Sequence, residues 1–377
     1  MLVTFWICAF LVIYVYLGYP ALIASGLLGK RKKTKEKDIQ PQLSVLIPAH
    51  NEERVIGAKL RNMLSQNYSL ARLEILVGDD GSSDRTARIV KSMEAGGVAL
   101  VRNQEPRGKS DIQNKLVERS HGDLLVFTDA DCFLPANALE TLVRHFADPL
   151  VGLVANCASI SNRNETAAVE GESLYWRYER WLRGQESDRG LLAMASGSLF
   201  VMRRGLWSPL DPNVGDDFVL PLLVARAGFR NVLETQISAE TELSQNQPHS
   251  LFRMKTRIIS KDLRGLLRNA ACLNPLKVGA VAMGLLSHKL LRWAVPYFLI
   301  GLYVSNVFLT AHTFYAITLA AQTAFYALSV FGLLLGGSRV RFPLSVAVSF
   351  CVVNFAALFG TLHCLTLQSA GRWKPVR

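Results

Sequence analysis

Charged residues are missing from three long stretches of the chain. Residues 1–29, 293–338 and 342–371 contain no Asp, Glu, Lys or Arg. Because a helix needs roughly 20 apolar residues to cross a bilayer core of about 30 Å, the pattern predicts one, two and one membrane crossings. The first stretch can instead be a cleaved signal peptide. Its basic cluster, KRKKTKEK at 30–37, follows the apolar run rather than preceding it, which favours an uncleaved anchor.

The same basic cluster orients the chain. Positive charge beside a membrane span stays on the cytoplasmic side, so the polar region that follows is expected in the cytoplasm. We therefore predict a multi-pass protein of the cell (inner) membrane. One crossing before the polar region and three after it would leave the tail GRWKPVR, 371–377, outside, against the same rule. The topology of the C-terminus stays open for this reason.

Between residues 42 and 248 short apolar runs alternate with helical patterns. LSVLIP, LEILVG, VALVRN and DLLVFTD are typical of strands, and NEERVIGAKLRNMLSQ, SSDRTARIVKSMEA and GKSDIQNKLVERS carry apolar residues at helical spacing. Such alternation predicts an α/β domain with a mostly parallel sheet and helices on both faces. Ligands of these sheets bind outside the carboxyl ends of the strands.

After residue 248 the pattern becomes amphipathic. HSLFRMKTRIISKDLRGLLRN places apolar side chains on one helical face and basic ones mostly on the other, as in a helix lying at a membrane interface. The stretch 278–287 is too short to span and is also predicted at the interface. The expected organisation is an anchor (1–29), a basic linker (30–41), the α/β domain (42–248), amphipathic interface helices (249–289), about three transmembrane helices (290–370) and a basic tail (371–377).

Composition removes some classes of function. The formal net charge is +12, but many of the basic residues lie next to membrane spans, where anionic lipids are the expected partners and nucleic acid is not. The six cysteines form no CxxC pair, which argues against a zinc site or a disulfide framework.

Acidic pairs follow two of the predicted strands. Asp129 and Asp131 end the run LLVFTDAD, and Asp79 and Asp80 end the run LEILVGDD. We expect the four carboxylates to converge, where they would raise one another's pKa unless a cation neutralises them. A hard divalent cation, Mg²⁺ or Mn²⁺, that also holds a substrate diphosphate suits Asp129 and Asp131.

Three further motifs allow either a structural or a chemical interpretation. PAHNEE, 48–53, can simply end a strand and cap a helix. RGKSD, 107–111, fails the P-loop pattern because position 103 is Asn, but Lys109 can still lie beside a phosphate. GDDFVLP, 215–221, can be a charged helix start; alternatively Asp217, and less so Asp216, can act as a general base for a hydroxyl.

The order of these motifs resembles that of inverting family 2 glycosyltransferases with the GT-A fold, a Rossmann-like mixed sheet. It is most similar to the membrane-embedded branch of cellulose, chitin and hyaluronan synthases. The resemblance covers about residues 42–270. It implies a nucleotide-sugar donor bound by Pro48, Ala49, Glu52, Asp79, Asp80 and Lys109, a metal on Asp131 and Asp129, an acceptor bordered by Ser196 and Gly197, and catalysis by Asp217 with Asp216 and Arg257.

One departure affects the implied product. The polymer synthases carry Q-x-x-R-W on an interface helix, whereas this chain has MKTRI at 254–258, in which only Arg257 matches. The sequence predicts a metal-dependent transferase acting on a polysaccharide or lipid-linked glycan. Two alternatives remain: single addition to a polyprenyl phosphate or glycolipid, and a non-catalytic membrane scaffold. Four crossings give only a narrow channel for secretion unless chains associate, which leaves a homo-oligomer open as a partner.

Overall fold

The structure is a computed structural model that describes residues 1–156, 159–160, 167–237, 239–241, 248–335 and 344–366. The predicted basic tail, 371–377, lies outside the described residues. Two sheets are present among them, one of seven strands and one of three.

The seven-stranded sheet forms the centre of the polar domain. Its order is β3-β2-β1-β4-β8-β6-β9, in which β8 runs antiparallel to both of its neighbours and the remaining pairs are parallel. The small sheet has the order β5-β10-β7. The strands are β1 Leu43–Ala49, β2 Leu73–Asp80, β3 Val98–Asn103, β4 Leu124–Thr128, β5 Cys132–Phe133, β6 Val151–Asn156, β7 Ser159–Ile160, β8 Leu199–Arg203, β9 Arg230–Glu234 and β10 Glu240–Thr241.

Helices cover both faces of the large sheet, as the alternating pattern predicts. Every residue of β1 and β4 is buried, since apolar side chains point into a core on each face of the sheet. The helices up to the membrane region are α1 Leu2–Ala24, α2 Ile56–Leu64, α3 Thr86–Lys91, α4 Lys109–Arg119, α5 Ala138–Val143, α6 Ala167–Arg189, α7 Asp216–Arg226 and α8 Pro248–Arg268.

Four helices are long and apolar enough to cross a membrane: α1 and three that follow α8 and the short α9, Pro275–Val278. The three are α10 Val281–Leu309, α11 Thr313–Leu334 and α12 Leu344–Thr366. The amphipathic α8 lies between the sheet domain and this group, because it packs on both α7 and α12. The number of apolar helices agrees with the number predicted from sequence.

The prediction of a separate interface segment at 278–287 is wrong. Residues from Val281 onwards continue without a break into α10, through a π-helical segment, Leu285–Leu290. The polar pair His288 and Lys289 suggested a boundary. In the structure His288 is buried and lies between two glutamates of α6, at 2.8 Å from Glu186 and 3.0 Å from Glu179, so a polar residue is accommodated inside the helix.

Candidate active site

The carboxyl ends of β1, β2 and β4 lie at one edge of the large sheet. β1 and β2 pair in parallel with Ala49 opposite Asp79, and Asp129 follows directly on the last residue of β4. Pro48 and Ala49 are buried there, and the backbone N–H of Glu52 donates to Thr86. The sequence-predicted acids therefore lie where a ligand of a parallel sheet binds.

The first acidic pair is engaged by the protein itself. Asp80 is buried and accepts hydrogen bonds from Asn103 and from the backbone N–H groups of Arg107 and Gly108, each at 2.8 Å. Asp79 is also buried and pairs with Arg102 at 2.9 Å. Asp80 thus holds the loop that leads into α4.

Lys109 joins two of the predicted site acids. Its Nζ lies 2.8 Å from Asp129 Oδ1 and 3.5 Å from Asp216 Oδ2. Gln113, one turn further along α4, donates to the same Asp216 oxygen at 2.7 Å. Burial lowers the pKa of Lys109, but the two carboxylates outweigh it, so the pKa is raised and the ammonium stays charged.

A buried lysine lies beneath the turn of Asp129 and Asp131. Lys59 of α2 is fully buried, and its ammonium donates to Thr128 Oγ1 at 2.9 Å and to the carbonyl of Cys132. Burial lowers the pKa of Lys59 to about 8, and Asp129 and Asp131 oppose that shift. Lys59 therefore holds both ends of the turn.

Asp217 lies against two glycines. A Cβ atom on Gly197 would be 3.2 Å from Asp217 Oδ2, and one on Gly215 would be 3.1 Å from Asp217 Oδ1. A side chain at either position would crowd the carboxylate. The glycine of the SGS motif and the glycine before α7 therefore leave space for the Asp217 side chain. Asp217 is only partly exposed, at the start of α7.

The two neighbouring aspartates of α7 differ in proton affinity. Burial raises the pKa of Asp216, but Lys109 and the hydrogen bond from Gln113 outweigh it and lower the pKa overall. Burial and the charge of Asp216 raise the pKa of Asp217 to about 6. Asp217 therefore takes and releases a proton near neutral pH, as a general base requires.

Helix α8 adds charged residues above this group. Burial lowers the pKa of Arg257, whereas Asp217 and Asp129 act against that shift, so the guanidinium lies near both carboxylates. Lys261, one turn further on, is influenced mainly by burial and then by Arg257, Asp216 and Lys109. Sequence reasoning identified Arg257 but missed Lys261, which was placed only on the basic face of α8.

Asp129 and Asp131 fit a divalent cation in their chemistry. Burial and the charge of Asp129 raise the pKa of Asp131, which indicates a shortage of positive charge at this carboxyl. Within the part of the chain that the structure describes, no three His, Cys, Asp or Glu side chains form a metal site. Two carboxylates suit Mg²⁺ or Mn²⁺, which complete their coordination with phosphate oxygens and water.

The structure brings together Lys109, Asp129, Asp216, Gly197 and Asp217, with Arg257 near enough to be influenced by Asp217 and Asp129. Asp79, Asp80, Pro48 and Ala49 lie at the adjoining strand ends, and their contact with a donor stays a prediction. Ser196 lies in the same loop as Gly197, 3.0 Å from Ser198 between hydroxyl oxygens. The residues that sequence reasoning missed are Lys59, Gln113, Lys261 and Asp262. Lys59, Gln113 and Asp262 are buried polar residues of helices, and their signal was a polar residue at a position where the helical pattern expects burial.

Residues 44–208 match the family model described as glycosyl transferase family 2. The beta-monoglucosyldiacylglycerol synthase of Trichormus variabilis is 29% identical over 198 residues, which cover 50% of this chain and 42% of that protein. An N-acetylglucosaminyltransferase of Mesorhizobium japonicum is 30% identical over 221 residues, which cover 53% and 51%. The chain thus spans about half the length of these curated relatives. The similarities support a family 2 glycosyltransferase.

A solved structure shares the fold over nearly the whole chain. The mannosyltransferase PcManGT from Pyrobaculum calidifontis, in complex with GDP-Man and Mn²⁺, has a TM-score of 0.73 at 21% identity, covering 96% of this chain and 99% of that one. The predicted GT-A fold with apolar helices near both ends of the chain is confirmed. The narrower assignment to the polymer-synthase branch is not confirmed by these similarities.

Proposed function

We propose that the protein is a membrane-bound inverting glycosyltransferase that moves a sugar from a nucleoside diphosphate donor to an acceptor hydroxyl. The observation that carries this proposal is the partly exposed Asp217, held between two glycines next to the Lys109–Asp129–Asp216 group. A proton acceptor with a pKa near neutral thus lies beside a set of charges suited to a diphosphate. A uridine nucleotide is the first donor to test.

The reaction is a single displacement. Asp217 removes the proton of the acceptor hydroxyl, and the acceptor oxygen bonds to the anomeric carbon of the donor sugar. The bond from that carbon to the diphosphate oxygen breaks, and its electron pair leaves with the nucleoside diphosphate. Because one displacement inverts the anomeric centre, no covalent intermediate on the protein is needed.

Three cationic side chains can stabilise the negative charge that develops on the leaving diphosphate. Lys109 lies at the start of α4, and Arg257 and Lys261 project from α8 towards the same acids. Asp131 and Asp129 would hold Mg²⁺ or Mn²⁺, which would supply further positive charge to the diphosphate when bound. The fold neighbour bound to GDP-Man and Mn²⁺ supports a divalent metal in this role.

The acceptor is proposed to be a polysaccharide or a lipid-linked glycan that reaches the cleft from the bilayer side. Helix α8 supports this route, since it contacts both α7, where Asp217 lies, and the apolar α12. We place the sheet domain in the cytoplasm of a cell-membrane protein because the exposed basic linker follows α1 directly.

A second candidate is the addition of one sugar to a polyprenyl phosphate or a glycolipid. It is favoured by MKTRI, which offers Met254 and Ile258 where the polymer synthases have glutamine and tryptophan. The similarity to a beta-monoglucosyldiacylglycerol synthase also supports it. The length of the product formed from labelled donor by the purified protein separates the two candidates.

The test is a screen of nucleotide sugars for nucleoside diphosphate release by the full chain, with and without Mn²⁺. We expect release with one donor class, dependent on the metal and abolished by Asp131→Asn and by Asp217→Asn. Asp211→Asn is the matched control, because the Asp211 carboxylate pairs with Arg268 and with none of the proposed site residues. The absence of metal-dependent release with every donor would instead support the non-catalytic scaffold, and unchanged release in both site variants would exclude these residues from the reaction.

A further inference from the structure

A second carboxyl faces the proposed base from helix α8. A Cβ atom on Gly215 would lie 2.8 Å from Asp262 Oδ1 and 3.1 Å from Asp217 Oδ1. Two oxygens at these distances from one point are at most about 6 Å apart. Sequence reasoning assigned no role to Asp262, although it lies among the apolar positions of α8, four residues from both Ile258 and Leu266.

Asp262 is buried without a partner. Its exposed fraction is 4%, and no hydrogen bond or ion pair within the described ranges engages its carboxyl. Asp216, by contrast, is paired with Lys109 and Gln113. The charged groups that face Asp262 are Asp217 and Asp216 of α7, Lys289 of α10 and Lys255 of its own helix.

Ionising both of two neighbouring carboxyls in a buried site has a large electrostatic cost, so one of them is expected to hold a proton at neutral pH. Burial and Asp217 raise the pKa of Asp262 to about 8, whereas that of Asp217 is about 6. Between these values Asp262 holds the proton and Asp217 is the ionised base. The pair then carries one negative charge.

Resting on the proposed transferase function, we propose that Asp217 and Asp262 form an acceptor subsite that takes an uncharged hydroxyl group and rejects a phosphate acceptor. A hydroxyl group gives its proton to the ionised Asp217, and the pair can accept that proton. A phosphate oxygen is already an anion, needs no base, and would lie against a buried negative charge. Asp262 acts here as a positioning residue. It holds a proton, so Asp217 is the one charged carboxyl of the subsite.

The distribution of cations supports this division of the cleft. Lys109 contacts Asp129 and Asp216, and the charges that affect Lys261 most are Arg257, Asp216 and Lys109. These cations lie on the side of the proposed metal and donor diphosphate, whereas Lys289, which faces Asp262, forms no ion pair with that carboxyl among the described residues. A phosphate is therefore accommodated there, and the side of Asp262 is left for a neutral acceptor.

Acceptor choice is measured with the full chain in nanodiscs of one neutral lipid, using labelled donor. A polyprenyl phosphate is compared with hydroxyl acceptors: a glycosyl diacylglycerol and soluble oligosaccharides. We expect transfer to at least one hydroxyl acceptor to exceed transfer to the phosphate by about tenfold or more. Transfer to the phosphate at an equal or higher rate would overturn the inference. So would nucleoside diphosphate release with no product on any hydroxyl acceptor, although the proposed function would survive that result.

The shared proton is tested without turnover. Infrared spectra of protein labelled at the aspartate carboxyl carbons should show a protonated carboxyl band at pH 7 that is absent in Asp262→Asn and retained in Asp211→Asn. In Asp262→Asn the titration of Asp217 near pH 6 should persist, because burial and the charge of Asp216, which raise its pKa, are unchanged. An identical protonated band in the Asp262 variant would contradict the pairing.

Discussion

The two sides of the proposed site hold aspartates in different electrostatic environments. On the donor side, Asp129 and Asp216 share the ammonium of Lys109. On the acceptor side, Asp217 and Asp262 face each other across Gly215 with no cation at ion-pair distance among the described residues. Lys109 keeps Asp216 ionised, whereas burial and a neighbouring carboxylate raise the pKa of Asp217 and of Asp262. The proposed donor side is thus suited to a charged ligand, and the proposed acceptor side to a group that gives up a proton.

The largest effect is expected from removing the acceptor-side base. Asp217→Asn should lower kcat by about 10²- to 10⁴-fold, because general base catalysis contributes on this scale. Donor affinity, measured by calorimetry with the unreactive nucleoside diphosphate, should change little, since the donor-side groups remain. A kcat within a few-fold of the parent protein would exclude Asp217 as the base.

Removing the ammonium of Lys109 should raise the proton affinity of the donor-side aspartates, so that they resemble those of the acceptor side. Lys109→Met leaves Asp129 and Asp216 without their ammonium, so the pKa of Asp216 should rise and nucleoside diphosphate should bind more weakly. We expect kcat/KM to fall by about 10²-fold, the scale of one electrostatic contact to a leaving group. Lys91→Met, on the exposed surface of α3, is the matched control. Equal losses in both variants would argue against a specific role for Lys109.

The pH profile should report the acceptor side. Asp217 acts in its ionised form, so activity is lost as pH falls through its pKa of about 6 and is retained above it. Below that point kcat should fall about tenfold per pH unit. The measurement is kcat at saturating donor and metal from pH 5 to 8. Activity that is constant over this range, or that rises on acidification, would contradict the assignment.

The smallest effect concerns stability. In the folded protein the pKa of Asp262 is raised to about 8, against about 3.9 in an unfolded chain, so the folded state holds a proton that the unfolded state has released. Stability therefore falls as pH rises between these values. Asp262→Asn is neutral at every pH and should raise Tm by roughly 2–4 °C more at pH 8 than at pH 5. Thermal unfolding of both proteins in detergent at the two pH values checks this. If Asp262→Asn changed Tm by the same amount at pH 5 and at pH 8, Asp262 would be ionised in the folded state.

Much of the donor side could be predicted from sequence. Strands of the large sheet read as apolar runs, and the rule that ligands bind at carboxyl strand ends placed Asp129 and Asp131 correctly at such an end. The motif order then singled out Lys109, which lies beside Asp129 and Asp216. These positions could be predicted because each depends on local order along the chain, where the element and its last residue are adjacent; the roles of the residues stay predictions.

The remaining features depend on contacts between distant segments. Helix α6 was not predicted, because its inward face carries Glu179, Arg183 and Glu186, which are all buried. Hydrophobic periodicity cannot find a helix whose buried side is charged. Asp262 was missed for a related reason: its importance comes from Gly215 and Asp217, more than 40 residues earlier in the chain.

The charged face of α6 also bears on how this protein can be handled. His288 and Arg292 of α10 meet Glu179, and Tyr19 of α1 donates to Glu186 at 2.9 Å. Cutting the sheet domain away from its apolar helices would leave these glutamates without partners on a newly opened surface. We expect the severed domain to be less stable than its own core would suggest, so purification should keep the apolar helices attached.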